Sequence, residues 1–182
     1  MRRYLFLFFI LLGLFSSICL SASYYAIVLK VSDGDTVWVL MNGKKVKLRL
    51  LGIDTPEKFS CRKLERDAAV CGVKQGRVKN LGQLATHHAK ELLKKGQKVT
   101  VIVRGYGYYG RPLAVIILPD GTNFNETMVK GGYACVYKYH GHKSKELSWK
   151  EWERLNQFLK QAKKYRRGLW AVDYRLMECL CR

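Results

Sequence analysis

The chain has 182 residues, of which 33 are Lys or Arg and 14 Asp or Glu, giving a formal charge of +19; hydrophobic residues make up 48%. That size and apolar content suit one domain plus an added segment, and exclude a chain too polar to build a core. The charge excess points to a polyanionic partner, either nucleic acid or an anionic envelope surface, rather than to a merely soluble basic protein.

The first segment reads as an export signal. Met1-Arg2-Arg3 is a positive start, residues 4–15 are almost wholly apolar, and small residues follow at Ser16, Ser17 and Ser21-Ala22-Ser23. This is the pattern of a secretory signal peptide over residues 1–22, cleaved near 21–23, with an uncleaved anchor as the alternative. The apolar run is short against the ~20 residues of a spanning helix. Removing Arg2 and Arg3 lowers the charge only from +19 to +17, so the basic character belongs to the remaining chain. A secreted or periplasmic setting permits disulfides. Beyond Cys19, five cysteines remain: Cys61, Cys71, Cys135, Cys179 and Cys181. A Cys61–Cys71 bridge stapling a charged loop is expected, with Cys135 pairing to one of the tail cysteines, although connectivity does not follow from sequence.

Residues 25–53 read as three antiparallel strands. Residues 26–31 alternate, Ser32-Asp33-Gly34-Asp35 makes a turn, and Thr36-Val-Trp-Val-Leu40 has high strand propensity. Asn42-Gly43 is a strong hairpin signal, and a two-residue turn there sets Arg49 opposite Thr36. Continued flat to Asp54, the third strand overshoots the Asp35 turn by about 13 Å, so a coiled, barrel-like sheet is needed to bring the two together.

Residues 58–78 lack a clean period and read as loop with some helix. Leu81, Leu84, Ala85, His88 and Leu92 then follow helical spacing, ended by Lys94-Lys95-Gly96. Residues 98–104 and 113–118 are strands flanking a Gly/Tyr loop. Asn123 or Asn125 caps a short helix running to Lys130, and residues 133–139 begin as a strand. A long amphipathic helix is expected over 144–166, with Trp152, Leu155, Phe158, Leu159 and Ala162 as its apolar stripe. Residues 174–182 form a cysteine-tied tail. The expectation is an α+β fold, a barrel of about five strands with about three α-helices.

Chemistry concentrates in Arg49-Leu-Leu-Gly-Ile-Asp54-Thr55-Pro56-Glu57. Asp33, Asp35, Asp54 and Glu57 lie within 25 residues of a strongly basic chain, and a bound divalent cation would explain such a cluster. Each piece also has a plain reading: turn carboxylates, a solvated strand arginine, one further surface charge at Arg111. Their joint occurrence favours the functional one.

These motifs resemble the staphylococcal nuclease (thermonuclease) family: Asp33-Gly34-Asp35-Thr36, then Arg49 to Glu57, Tyr109-Gly110-Arg111-Pro-Leu-Ala, Asn125-Glu126, and Gln161-Ala-Lys-Lys164 through Gly168-Leu-Trp170, in family order over residues 24–173. The resemblance implies a five-stranded OB-fold β-barrel and a calcium-dependent hydrolase, a monomeric endonuclease cutting DNA and RNA, single-stranded or locally melted, to leave 3′-phosphates. It implies that Asp35, Asp54 and the Thr55 carbonyl ligate Ca2+, that Glu57 is the general base, and that Arg49 and Arg111 bind phosphate. The family pattern has charged residues just before its Tyr-Gly-Arg, where this chain has Gly107 and Tyr108. Two other classes compete: a non-catalytic nucleic-acid-binding module of the same fold, and an envelope-bound basic protein. The first predicts loss of the charged site residues, all of which are present.

Overall fold

A computed structural model describes residues 22–107 and 109–182. The signal-peptide expectation therefore lies outside the described residues, apart from Ala22. Five strands form a closed barrel in the order β1-β2-β3-β6-β5. They are β1 (Ala22–Asp33), β2 (Thr36–Met41), β3 (Lys44–Leu50), β5 (Lys98–Tyr106) and β6 (Pro112–Ile117). A separate two-stranded ladder joins β4 (Ile53–Asp54) to β7 (Cys135–Val136). Six helices complete the described chain: α1 (Arg62–Val70), α2 (Gln75–Leu92), α3 (Phe124–Lys130), α4 (Trp149–Lys164), α5 (Leu169–Val172) and α6 (Tyr174–Leu180). The expected five-stranded barrel is the one observed, with six helices among the described residues where about three were expected.

The barrel follows from period-two patterning. Val37, Val39, Leu48 and Leu50 point inward with Val28, Val101, Ala114 and Ile116, all within 1% of complete burial. Asn42 and Gly43 both take positive φ, as the two-residue turn demands, and Thr36 pairs with Arg49. Register shifts in β1 between Val28 and Lys30 and between Val31 and Asp33 add local twist, which coils the sheet toward closure.

The strand carrying the site ends earlier than the flat-sheet reading assumes. Leu50 N–H donates to Asp35 O at 2.9 Å, and the chain then turns at Gly52, whose φ is +78°. A Cβ on Gly52 would also lie 2.9 Å from a Leu147 methyl, so glycine meets both the backbone and the packing requirement. Asn125 secures the turn: its amide donates to Leu51 O at 2.9 Å and Ala114 O at 3.0 Å. The overshoot thus becomes β4, folded back beside Arg49 instead of running past Asp35.

A second core lies among the helices. Leu64 and Ala68 of α1, Val78, Leu81 and Ala85 of α2, and Trp170, Leu176 and Met177 are all buried in it. Residues 58–78 thus contain a full helix, α1, and the cysteine-tied tail is helical over Tyr174–Leu180. The long helix starts at Trp149, later than expected, because Ser148 closes a capping box with Glu151.

Cys135 pairs with a tail cysteine as expected, but the expected Cys61–Cys71 bridge needs correction. The bridges are Cys71–Cys179 and Cys135–Cys181, and Cys61 is a free thiol. Cys61 caps the start of α1 and Cys71 its end. Ten helical rises separate their Cα atoms by about 15 Å, well beyond the ~7 Å that a disulfide can span. Both tail cysteines are consumed, and α6 is tied to α1 and to β7.

Candidate active site

The β1–β2 turn, the end of β3, the β4 ladder and helix α1 converge at one rim of the barrel. The Arg49 guanidinium pairs with Asp35 and, at 2.6 Å, with Asp54 Oδ1. Asp35 Oδ1, the oxygen facing Arg49, also accepts the Thr36 hydroxyl at 3.0 Å, and Oδ2 accepts the Thr55 N–H at 3.0 Å. Sequence reading brought Asp35, Arg49, Asp54, Thr55 and Glu57 together in principle, and the fold brings them together in space.

Arg111 is placed differently. It immediately precedes β6, whose Leu113 pairs with Arg49 in a parallel register, so it borders the same rim. Its guanidinium carbon lies 5.8 Å from the Tyr109 ring centroid. Among the described residues it forms no ion pair with the site carboxylates. Tyr106 at the end of β5 and Tyr109 and Tyr139 in loops are largely exposed, whereas Tyr137 is only just so.

Sequence reading missed Lys63 because it lay in a stretch taken as loop. Its Nζ lies 3.1 Å from Asp54 Oδ2, 3.4 Å from Glu57 Oε1 and 3.1 Å from Asp67 Oδ2. Asp67 was missed for the same reason. The available signal was Lys63 and Asp67 at i, i+4, which places them on one face once the segment is helical.

Burial and neighbouring charges together shift the ionisable groups of the site. Burial first, then Asp35 and Glu57, push the Asp33 carboxyl up to about 6, against the Gly34 N–H and Lys58. Burial likewise raises Glu57, with Asp35 and Asp54 adding to it and Lys63 opposing. Burial alone would lower Arg49, but Asp35 and Asp54 outweigh it and hold the guanidinium firmly charged.

The donors suit a hard divalent cation. Asp35, Asp54, Glu57 and Asp67 face Arg49 and Lys63, four carboxylates against two cations, an excess of two negative charges when all are ionised. Asp35 and Asp54 meet different nitrogens of one guanidinium, which places both carboxylates around Arg49. Among the described residues no three His, Cys, Asp or Glu side chains converge as a ligand set. An ion would therefore take two carboxylates and complete its shell with carbonyl and water oxygens.

Helix α2 sets the Glu57 segment from behind. A Cβ on Gly82 would stand 2.6 Å from Pro56 O and from the Glu57 carbonyl carbon, so glycine alone permits this approach. Thr86, one turn on, donates to Asp33 Oδ1 at 3.3 Å.

Comparison with known proteins is consistent with this arrangement. The profile of a family described as staphylococcal nuclease homologue matches residues 47–172. An uncharacterized endonuclease of Escherichia coli O157:H7 is 33% identical over 171 residues, covering 94% of this chain and 91% of its own. A thermonuclease of Staphylococcus hyicus is 33% identical over 146 residues, 79% of this chain and 74% of its own. An uncharacterized protein of Methanocaldococcus jannaschii is 36% identical over 163 residues, 81% and 72% respectively.

Proposed function

The chain belongs to the staphylococcal nuclease family, and from that premise we propose that it is an exported, calcium-dependent endonuclease that hydrolyses DNA and RNA to 3′-phosphate ends. Nuclease action follows from the family and from the endonuclease and thermonuclease names of its relatives. Metal, product polarity and export are the proposal's own additions. The observation that carries it is the shared guanidinium: Arg49 bridges Asp35 and Asp54 at the rim where Glu57 also stands.

Asp35, Asp54 and the Thr55 carbonyl are the groups that would hold Ca2+. When bound, the ion polarises a phosphate oxygen and lowers the cost of generating hydroxide from water. Glu57 takes the proton of the attacking water; burial holds its carboxyl above the usual glutamate value, which makes the carboxylate a stronger base. Arg49 orients the phosphate and meets the charge that grows on its equatorial oxygens, which a planar fork does better than an ammonium. Arg111 approaches the same phosphate from the β5–β6 loop. Exposed Tyr106, Tyr109 and Tyr139 offer stacking faces to unpaired bases, which favours single-stranded or locally melted substrate. Residues 24–173 carry this machinery and 174–182 its covalent brace.

Two disulfides support export, because such bonds persist in oxidising compartments. The apolar segment after Arg2-Arg3 supplies the route.

The test is a nuclease assay on single-stranded DNA and RNA with calcium, with chelator, and with Glu57→Ala. Turnover is expected to fall about 10²- to 10⁴-fold in the variant, with nucleic-acid binding retained. Intact DNA and RNA after incubation of wild type with calcium would leave the non-catalytic binding module as the better reading.

A further inference from the structure

Lys63 is a cation that the mechanism above does not use, placed against two carboxylates that it does. Asp54 is engaged on both oxygens, Oδ1 by Arg49 and Oδ2 by Lys63. A divalent ion joining Asp54 would add a third positive centre beside one carboxylate, a repulsion that favours withdrawal of one of the two cations.

The two cations are not equally able to give way. Arg49 is fixed at the barrel strand by Asp35 and Asp54 together, and its side chain is 20% exposed. Lys63 stands on a separate helix, is 30% exposed, and ends in a compact ammonium on a flexible stem. It also has a third partner away from the barrel, Asp67, one turn along α1. When Asp54 lets go, the ammonium still has a carboxylate within 3.1 Å and need not be left unpaired.

We propose that Lys63 is a tethered competitor of the divalent ion, bracing Asp54 and Glu57 in the metal-free protein and withdrawing to Asp67 when the ion binds. This rests on the calcium reading above. Lys63 acts here as a positioning residue: it keeps the two carboxylates from splaying apart while no ion neutralises them, and it sets the metal affinity lower than Asp35 and Asp54 alone would give. The Cys71–Cys179 bridge at the end of α1 keeps the helix, and so the competitor, at the site.

Calorimetric titration of CaCl2 into chelator-stripped protein tests this without reference to turnover. Lys63→Met should bind calcium about tenfold more tightly than wild type, a modest coupling between two ligands of one carboxylate. Its metal-free Tm should fall below wild type, and the two should converge at saturating calcium. Lys63→Arg, which keeps the charge, should retain weak binding, and Lys63→Gln replaces the Met variant if that one fails to fold. Equal or weaker calcium binding by Lys63→Met or Lys63→Gln, with wild type binding normally, overturns the competitor alone. Absence of calcium binding in wild type and every variant overturns the metal reading and the competitor with it.

Discussion

In the barrel, Arg49 and Asp35 are neighbours because β2 and β3 are laddered residue by residue, whereas Lys63 reaches the same carboxylates from a nine-residue helix that a disulfide ties down. The barrel half is specified locally: alternation, one Asn-Gly turn and a glycine with positive φ. The helical half is specified at a distance. Cys179 lies 108 residues beyond Cys71, and Cys181 lies 46 beyond Cys135, which is itself paired with Asp54 in the β4–β7 ladder. One side of the site rests on hydrogen-bonded strands, the other on covalent ties.

That contrast can be broken most severely at the cysteines. The paired replacement Cys71→Ser with Cys179→Ser is expected to cost about 5 kcal/mol on a chain-entropy basis, read from urea unfolding, and reduction, which opens both bridges, should cost more. The barrel should persist in that variant, so circular dichroism in water should keep its strand signal while helical signal weakens. Simultaneous loss of strand and helix would show that the two halves do not differ as described.

A smaller effect is expected where the halves touch. Gly82→Ala forces a methyl against the backbone of Pro56 and Glu57, and should destabilise by about 1 to 3 kcal/mol as overpacking does. Because the displaced segment carries Glu57, nuclease turnover should fall with it. Unchanged turnover would mean that α2 does not set the position of Glu57.

The smallest effect concerns the barrel side alone. An unfolded aspartate titrates near 4, whereas Asp33 in the fold is pushed up to about 6. The folded state therefore favours the neutral carboxyl, and that contribution is complete below about pH 4 and lost as pH rises through about 6. Asp33→Asn, which keeps an acceptor for Gly34 and Thr86, should raise metal-free stability at pH 7.5 by about 1 to 2 kcal/mol, with no gain at pH 4. Thermal unfolding across pH in chelator checks it, and a gain that persists at pH 4 would refute the assignment.

The same contrast explains what could be read beforehand. The Thr36–Arg49 pairing was legible because a two-residue turn fixes a register. So was the carboxylate cluster, since acidic residues stand out in a basic chain. The fold-back of Asp54 was not, because it depends on Asn125 reaching Leu51 O across 74 residues of sequence. Helix α1 was obscured by its composition: charged residues dominate its nine positions, and just two, Leu64 and Ala68, are buried. Its core partners, Val78, Leu81 and Trp170, come from elsewhere in the chain. Lys63 was lost with it.

The barrel's parallel contact consists of just two residue pairs, Arg49 with Leu113 and Leu50 with Ala114, extended by the Leu51 N–H to Ala114 O. That seam joins segments 64 positions apart in sequence, and one of its members is the arginine that binds both carboxylates. Short, non-local contacts of this kind open at lower cost than the ladders on either side. Unzipping there would slide Arg49 away from the β6 edge while β1, β2 and β5 stayed paired. If that seam opens first on heating, cutting activity is expected to disappear below the melting of the sheet and to return on cooling, read from nuclease turnover and circular dichroism over one temperature ramp.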